Sequence, residues 1–229
     1  MSSGCLVLHL TGPLQSWGLA SRSVRRDSGL EPSKSGVVGL LAAALGRRRD
    51  EPTDDLARLR MTVRVDREGE VLEDFQTVGV GYTNDPVWPG GGMWTAEGKL
   101  KPDQRISYRL YLADAAFLVL LEGDLGTLDI CFTALRSSEY QLSLGRRACP
   151  PGQPLAPCPP AEVDLTTVLE RYPPIRRATD QRLRVIRELQ PAELAHADEL
   201  RPDQPLGLLA ERRFGPRPVR HELIAVLST

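Results

Sequence analysis

The stretch AAFLVLLEGDLGTLDICFTAL, residues 115–135, contains the two patterns that decide the fold. Ala115–Leu121 is continuously apolar, which is typical of a strand buried on both faces. In Leu125–Leu135 the large apolar residues recur at the spacing of one helix face, at Leu125, Leu128, Phe132 and Leu135. This spacing predicts an amphipathic helix. A buried strand that leads directly into an amphipathic helix indicates a domain in which helices pack on a sheet.

Three further strands are predicted before this stretch. Met61–Asp66 and Ile106–Leu112 alternate apolar and polar residues, as half-buried strands do. Val71–Val78 returns as a strand after a turn at residues 67–70. Residues 79–104 lack any periodicity and are rich in Gly and Pro. Two strands that flank such an excursion predict a protruding β-hairpin.

The N-terminal part adds a strand and a helix. Cys5–Leu10 is a short apolar run closed by a Thr-Gly-Pro turn. Val37–Leu45 is rich in Ala and Leu, ends at Gly46, and is predicted to be a helix that packs on the sheet. Leu142–Arg147 is predicted to be a short last strand.

The predicted elements of residues 1–148 follow the order β-α-β-β-α-β. This order predicts an α+β fold of the ferredoxin-like, RNA-recognition-motif-like type, with the hairpin inserted at residues 79–104. After Cys149 the texture changes, because thirteen of the nineteen prolines lie in residues 150–218. Residues 149–229 are therefore predicted to form a smaller, irregular, Pro-rich C-terminal subdomain.

The distribution of charge is more informative than the net charge of −1. Residues 1–49 contain seven basic and two acidic residues, a balance of +5, so the remaining 180 residues carry −6. A basic surface on a slightly acidic body is compatible with binding phosphate on one side and proteins on another. No apolar run is long enough to span a bilayer and no signal peptide is recognisable, so a cytoplasmic protein is expected.

The loop from Gln15 to Gly36 is the first candidate site. It contains an aromatic ring, several cations and the start of a helix, where backbone N–H groups favour an anion. Stacked bases and phosphates bound by Arg are typical of single-stranded RNA grooves. The candidate RNA-binding residues here are Trp17, Arg22, Arg25, Arg26 and Lys34. The alternative is a solvated basic loop with Trp17 in the core. A nucleotide-binding P-loop is excluded, because serines occupy both required glycine positions.

Two more segments are candidate interfaces. Leu144-Gly145-Arg146-Arg147 combines a glycine, which lets the backbone approach a ligand, with two cations for phosphate. The alternative is an ordinary strand end with surface Arg. The hairpin insertion contains Trp88, Met93 and Trp94, which suggest a surface that is buried on a partner. Alternatively, they fold back onto their own domain.

Candidates for catalysis are few. His9 lies within an apolar strand and is interpreted as a core residue, whereas His196 and His221 are placed in mixed surface contexts. No nucleophile–base grouping and no metal-ligand spacing stand out, and the four cysteines have no C-x-x-C pair. We therefore expect no catalytic residue, metal or cofactor.

Several segments together resemble the CasD family, the fifth-class Cas subunit of the type I-E CRISPR Cascade complex within the RAMP superfamily. They are, in chain order, LTGPLQSWG at 10–18, PSKSGVVGLL at 32–41, DFQTV at 74–78, YRLYLADA at 108–115 and LGRRACP at 144–150. The resemblance covers roughly residues 5–155. It implies an RNA-binding protein of antiviral defence with a modified RNA-recognition fold, whose β-hairpin "thumb" corresponds to residues 79–104.

The resemblance also implies partners and contacts. The protein would hold the 5′ handle of the CRISPR RNA, contact the backbone subunit and the large subunit, and meet target DNA through the complex. Carried over by motif, the residues that meet the handle are Trp17, Arg25, Arg26, Lys34, Ser35, Gln76, Thr77, Tyr108, Arg109, Arg146 and Arg147. The thumb would seat Trp88, Met93 and Trp94 on a neighbouring subunit.

A metal-independent endoribonuclease that processes precursor CRISPR RNA is the alternative function. Such cleavage needs a general base at the ribose 2′-OH and a general acid aligned with it at the leaving oxygen. The candidate RNA-facing segments offer Lys34, Tyr108 and Tyr140, but no histidine. Binding without catalysis is therefore the favoured interpretation.

Overall fold

The computed structural model describes residues 3–18, 24–79, 93–101, 105–175 and 182–226. The strands are β1 Ser3–Thr11, β2 Leu14–Gln15, β3 Arg25–Arg26, β4 Arg60–Arg67, β5 Glu70–Val78, β6 Met93–Trp94, β7 Leu100–Lys101, β8 Arg105–Ala113, β9 Ala116–Asp124, β10 Arg182–Glu188, β11 Glu199–Leu206 and β12 Arg213–Ala225. The helices are α1 Lys34–Ala44, α2 Asp54–Ala57, α3 Leu125–Arg136, α4 Leu165–Arg171 and the 3-10 helix Pro191–His196. No helix among the described residues is long and apolar enough to cross a membrane.

One large antiparallel sheet organises the chain, with strand order β1-β9-β4-β10-β12-β11. Strand β9 is buried on both faces, as its continuous apolar sequence predicts. Phe117 and Val119 face the main core, whereas Leu118 and Leu120 face a smaller cluster that includes Leu169 of α4. The α+β class is therefore confirmed, because helices pack on both faces of the large sheet.

Helices α1 and α3 cover the main core face, and both begin at side-chain caps. The Ser33 hydroxyl accepts a hydrogen bond from the backbone N–H of Gly36, and the Asp124 carboxylate accepts one from Thr127. Helix α1 ends at a positive-φ glycine, Gly46, as predicted from the sequence. These caps fix the direction of α1, which is important because one side of α1 lines the site described below.

The predicted hairpin is a second, smaller sheet. Strands β5 and β8 pair antiparallel over nine residues each, and β2 and β3 also pair with β8. We call the β5–β8 pair the ribbon. Between β5 and β8 in sequence, Met93–Trp94 pairs with Leu100–Lys101. Trp88 lies outside the described residues, as do Arg22 and most of the excursion at 79–104.

Two parts of the predicted fold differ from the structure. Leu142–Arg147 is a loop and not a strand, because its backbone bonds close a turn: Leu144 N–H donates to Cys149 O, and Cys149 N–H donates to Arg146 O. The predicted ferredoxin-like order therefore lacks its last strand.

The C-terminal part is also more regular than predicted, because β10, β12 and β11 continue the large sheet. Pro216 and Pro218 lie in β12 beyond the end of its pairing with β10, which stops at Val219. Strand β11, which contains two prolines, lies at the sheet edge and its register shifts between Arg201 and Gln204. Proline is tolerated at such edge and bulge positions because no ladder hydrogen bond is lost.

Candidate nucleic-acid interface

A groove of about 1040 Å³ runs beside the solvent side of α1. Its other walls are the loop after β2, strand β3, the segment that follows α1, the loop after α3 and the β11–β12 hairpin. Segments that are far apart in sequence therefore meet at one surface. We call this surface the arginine groove.

The charged residues of the groove are almost all basic. Seven arginines line it against one acidic residue, Asp27. The arginines are Arg26, Arg47, Arg48, Arg49, Arg146, Arg147 and Arg212. A concave surface lined by one sign of charge concentrates the opposite charge, so the groove favours a polyanion.

The arginines differ in how far they are already paired. Arg47 makes a two-pronged ion pair with Asp55 (2.6 and 2.5 Å), and this hydrogen bond lowers the pKa of that carboxyl. Arg48 pairs with Asp50 at the surface. Within the described part of the chain, the side chains of Arg26, Arg49 and Arg147 make no ion pair or hydrogen bond. These three guanidinium groups are therefore the ones available for phosphate.

The loop Leu144-Gly145-Arg146-Arg147 is held against the residues that follow β2. Gly145 has φ +87°, and a Cβ placed there would lie 1.8 Å from the carbonyl oxygen of Ser16. The Ser16 N–H also donates to Leu144 O at 3.0 Å. Only glycine allows this approach, which presents Arg146 and Arg147 to the groove.

Arg146 acts mainly as a clamp. Its guanidinium donates to the carbonyls of Leu110, Arg26 and Asp27 (3.2, 3.0 and 3.3 Å) and stacks 5.0 Å from the centroid of the Tyr111 ring. Most of its donors are therefore used to hold β3 on β8. The prediction of a phosphate ligand fits Arg147 better than Arg146.

The predicted role of Lys34 is wrong in this structure. Its side chain is 3% exposed, and its ammonium donates to Glu188 at 2.5 Å in the interior. Burial lowers the pKa of Lys34, although Glu188 acts in the opposite direction. The helix start does bind an anion, but the anion is internal: the Asp203 carboxylate accepts the backbone N–H of Lys34 at 2.9 Å. Arg217 completes the network by donating to Asp203.

Trp17 is also not a stacking surface. The residue is 0% exposed, and its indole N–H donates to the Gln15 side chain at 3.0 Å. Gln15 in turn donates to the carbonyls of Leu10 and Ala115. The alternative interpretation, a tryptophan in the core, is therefore the correct one.

The remaining candidates do not all converge. Arg25 and Tyr108 are register partners and share one face of the ribbon, where Thr77 also lies, and Arg25 pairs with Glu73. Gln76 and Arg109 lie on the opposite face, because neighbouring residues of a strand alternate. Arg26 shares this second face with Arg109, whereas Ser35 lines the groove on α1. Four of the residues predicted to meet the handle, Arg25, Lys34, Tyr108 and Arg146, therefore do not form one surface.

Comparison with known proteins identifies the family. A sequence profile described as CRISPR-associated protein (Cas_Cas5) matches residues 5–220. The chain belongs to the Cas5 family. This confirms the resemblance inferred from the five sequence segments.

Individual Cas5-like proteins agree with this assignment. The CRISPR system Cascade subunit CasD of Escherichia coli (strain K12) is 33% identical over 154 residues, which are 66% of this chain and 68% of the relative. A solved structure described as a CRISPR RNA-guided surveillance complex contains a chain that is 33% identical, with a TM-score of 0.78 over 97% of this chain and 90% of that one. A crystal structure of a Cas protein is 38% identical, with a TM-score of 0.73 and coverage of 96% and 95%.

Sequence reasoning missed part of the groove of this Cas5 family member. Arg47, Arg48 and Arg49 are not among the predicted site residues, although an Arg triplet directly after a helix in the most basic segment is a usable signal. Arg212 and the groove-lining aromatic Phe214 gave no signal, because they reach the site through the β11–β12 hairpin. Tyr140 also lines the groove and is exposed.

The histidines of this Cas5 protein lie outside the groove lining. His9 bonds through both ring nitrogens, to the Tyr172 hydroxyl at 2.9 Å and to Gln153 at 3.2 Å. His221 contacts Glu199 at the surface. Among the described residues, no group of three or more His, Cys, Asp or Glu is placed to hold a metal ion.

Proposed function

We propose that this Cas5 protein is a non-catalytic RNA-binding subunit of a cytoplasmic type I-E Cascade surveillance complex. It holds the 5′ handle of the CRISPR RNA in the arginine groove, contacts the backbone and large subunits, and meets target DNA only through the complex. The observation that carries the proposal is the concentration of seven arginines and one aspartate around one groove, on a chain with a net charge of −1. A site this asymmetric fits phosphates better than any neutral ligand.

Features of the groove favour an unpaired strand. Tyr140 and Phe214, two exposed aromatic residues, line it beside the arginines. Aromatic rings stack on bases that are free of a duplex, and Arg binds the intervening phosphates. The combination supports a single-stranded ribonucleotide segment such as the handle.

The ribbon and the β6–β7 pair support a second role, in assembly. Trp94 is 69% exposed, and Phe75 and Tyr108 form an exposed ring pair with centroids 5.3 Å apart. Exposed large apolar side chains suit burial against a protein. Trp94→Ala should therefore reduce recovery of the backbone subunit in a pull-down while leaving binding of free RNA unchanged.

The groove lining supports binding over catalysis. Among its described residues there is no histidine or lysine, and Tyr140 is its one tyrosine. RNA cleavage without a metal needs both a general base at the 2′-OH and a general acid at the departing 5′-oxygen. The chain alone, incubated with repeat RNA in EDTA, should therefore leave the RNA intact. Specific cleavage within the repeat would establish the endoribonuclease alternative instead.

The binding proposal is tested by removing the three unpaired guanidinium groups. Three phosphate contacts to a single strand correspond to a slope of log K against log salt of about −2. Replacing Arg26, Arg49 and Arg147 by Ala should abolish co-purification with CRISPR RNA and flatten the slope by that amount. Arg171→Ala, an exposed arginine of α4 outside the groove, is the matched control. Unchanged affinity and slope in the triple variant would remove the groove as the RNA site.

A further inference from the structure

Gly39 occupies an unexpected position, the middle of helix α1. Glycine inside a helix is unfavourable relative to alanine, because more backbone entropy is lost on folding. A mid-helix glycine therefore calls for a local reason, such as a crowded contact or a left-handed backbone.

Neither local reason applies to Gly39. A Cβ at this position would have no atom within 4 Å, and its φ is not positive. Gly36, one turn earlier, is different: a Cβ there would lie 2.8 Å from the buried ring of Trp17. Packing within the chain thus explains Gly36 and leaves Gly39 unexplained.

The open space beside Gly39 is the arginine groove. Gly39 lines it together with Ser35 and Ala43, which lie one turn to either side on the same face of α1. This patch of the lining is uncharged and has small side chains, whereas the surrounding segments supply the cations. A strand bound by its phosphates at the arginines would lay its uncharged parts against this patch.

We infer that the bound ribonucleotide strand packs a ribose or base directly on the backbone of α1 at Gly39, which fixes the depth of the strand in the groove. The inference rests on the proposed function and extends it, because it names a contact that carries no charge. The arginines attract the strand, and the missing side chain at Gly39 lets it approach closely enough for Tyr140 and Phe214 to meet its bases.

The test uses a substitution that changes stability and binding in opposite directions. Gly39→Ala should raise the melting temperature of the full chain by about 2 °C, because alanine is the better helix former. The same methyl group should weaken binding of a fluorescein-labelled, mixed-sequence single-stranded RNA of about ten nucleotides by about tenfold. Gly39→Leu should reduce binding further without unfolding the chain, since the space is empty in the free protein.

Gly126→Ala, in the first turn of α3 and outside the groove, is the matched control and should leave RNA affinity unchanged. A Gly39→Ala or Gly39→Leu variant that binds as tightly as wild type, while Arg147→Ala is weakened, would overturn this inference and leave the proposed function standing. If neither the Gly39 nor the arginine variants change binding, the proposed function itself fails.

Discussion

The substitution Lys34→Met tests whether Lys34 stabilises the fold or binds RNA. The ammonium of Lys34 is 3% exposed and donates to Glu188 at 2.5 Å, and it has no access to the arginine groove in the described structure. Methionine keeps the length of the side chain and removes the charge. Glu188 then loses its closest cation inside the protein.

The expected loss of folding stability depends on the contacts that Glu188 retains. Breaking a buried ion pair by removing one partner costs about 3–5 kcal/mol. Glu188 still accepts the backbone N–H of Met61 at 2.9 Å, and Arg217 remains 3.8 Å away. We therefore expect the lower end, about 3 kcal/mol, which corresponds to a fall in melting temperature of about 6–12 °C for a chain of this size.

The assay combines denaturation with RNA binding. Thermal unfolding should show the fall, and the double variant Lys34→Met with Glu188→Gln should be more stable than the sum of the single variants predicts. RNA affinity, measured well below the transition, should change less than about threefold. A melting temperature within about 2 °C of wild type, together with a tenfold loss of affinity and a reduced salt slope, would refute the reasoning and make Lys34 a phosphate ligand.

Three further predictions concern the groove and the sheet. Arg146→Ala should weaken RNA binding with little change in salt slope, because its guanidinium is used on carbonyls, whereas Arg147→Ala should lower the slope by about 0.7; equal slope changes would contradict this. Gly145→Ala should cost at least about 2 kcal/mol in urea unfolding, since its Cβ would meet Ser16 O at 1.8 Å; wild-type stability would show that the loop adapts freely. Burial lowers the pKa of His9 below its ordinary value of 6.5, so its neutral form stabilises the fold above about pH 6.5 and this stability is lost as the pH falls. The melting temperature should therefore drop more between about pH 7 and pH 5 in wild type than in His9→Gln. Equal drops would show that His9 does not contribute to the pH dependence of stability.

Local sequence patterns predict the elements with strong periodicity. Strands β4 and β8 lie where alternation indicates them, and β1 and β9 lie where continuous apolar runs do. Helix α3 lies where helical spacing indicates it, and α1 lies where the Ala and Leu content and the closing glycine do. The strand predicted at Leu142–Arg147 is absent, because a short local pattern does not show whether a neighbouring strand edge is free. Here the backbone hydrogen bonds close a turn instead. The sequence does not reveal strands β11 and β12, because their prolines suggest irregular structure. Proline is nevertheless compatible with an edge strand and with a register shift, and both occur here.

The site is harder to predict than the fold because contacts between residues far apart in sequence decide where its side chains lie. A lysine at a helix start has the same sequence signature whether it faces RNA or a carboxylate. The decision is made by Glu188 and Asp203, which lie 154 and 169 residues away. Trp17 depends on a nearer partner, Gln15, and on the space that Gly36 leaves beside its ring, although Gln15 is itself held by the carbonyl of Ala115, 100 residues away.

These internal pairings also explain how a chain with a net charge of −1 can present a basic groove. Two acidic residues close to the start of α1 are used inside the fold. Glu31 accepts from Arg184 and Arg201, and Asp203 accepts from Arg217 and from the start of α1. Each such pair uses a carboxylate outside the groove lining, in which, among the described residues, seven arginines stand against one acidic residue, Asp27. Because the field at a groove depends on nearby charges and is screened beyond about 10 Å at 0.1 M salt, this local asymmetry governs binding and the net charge does not.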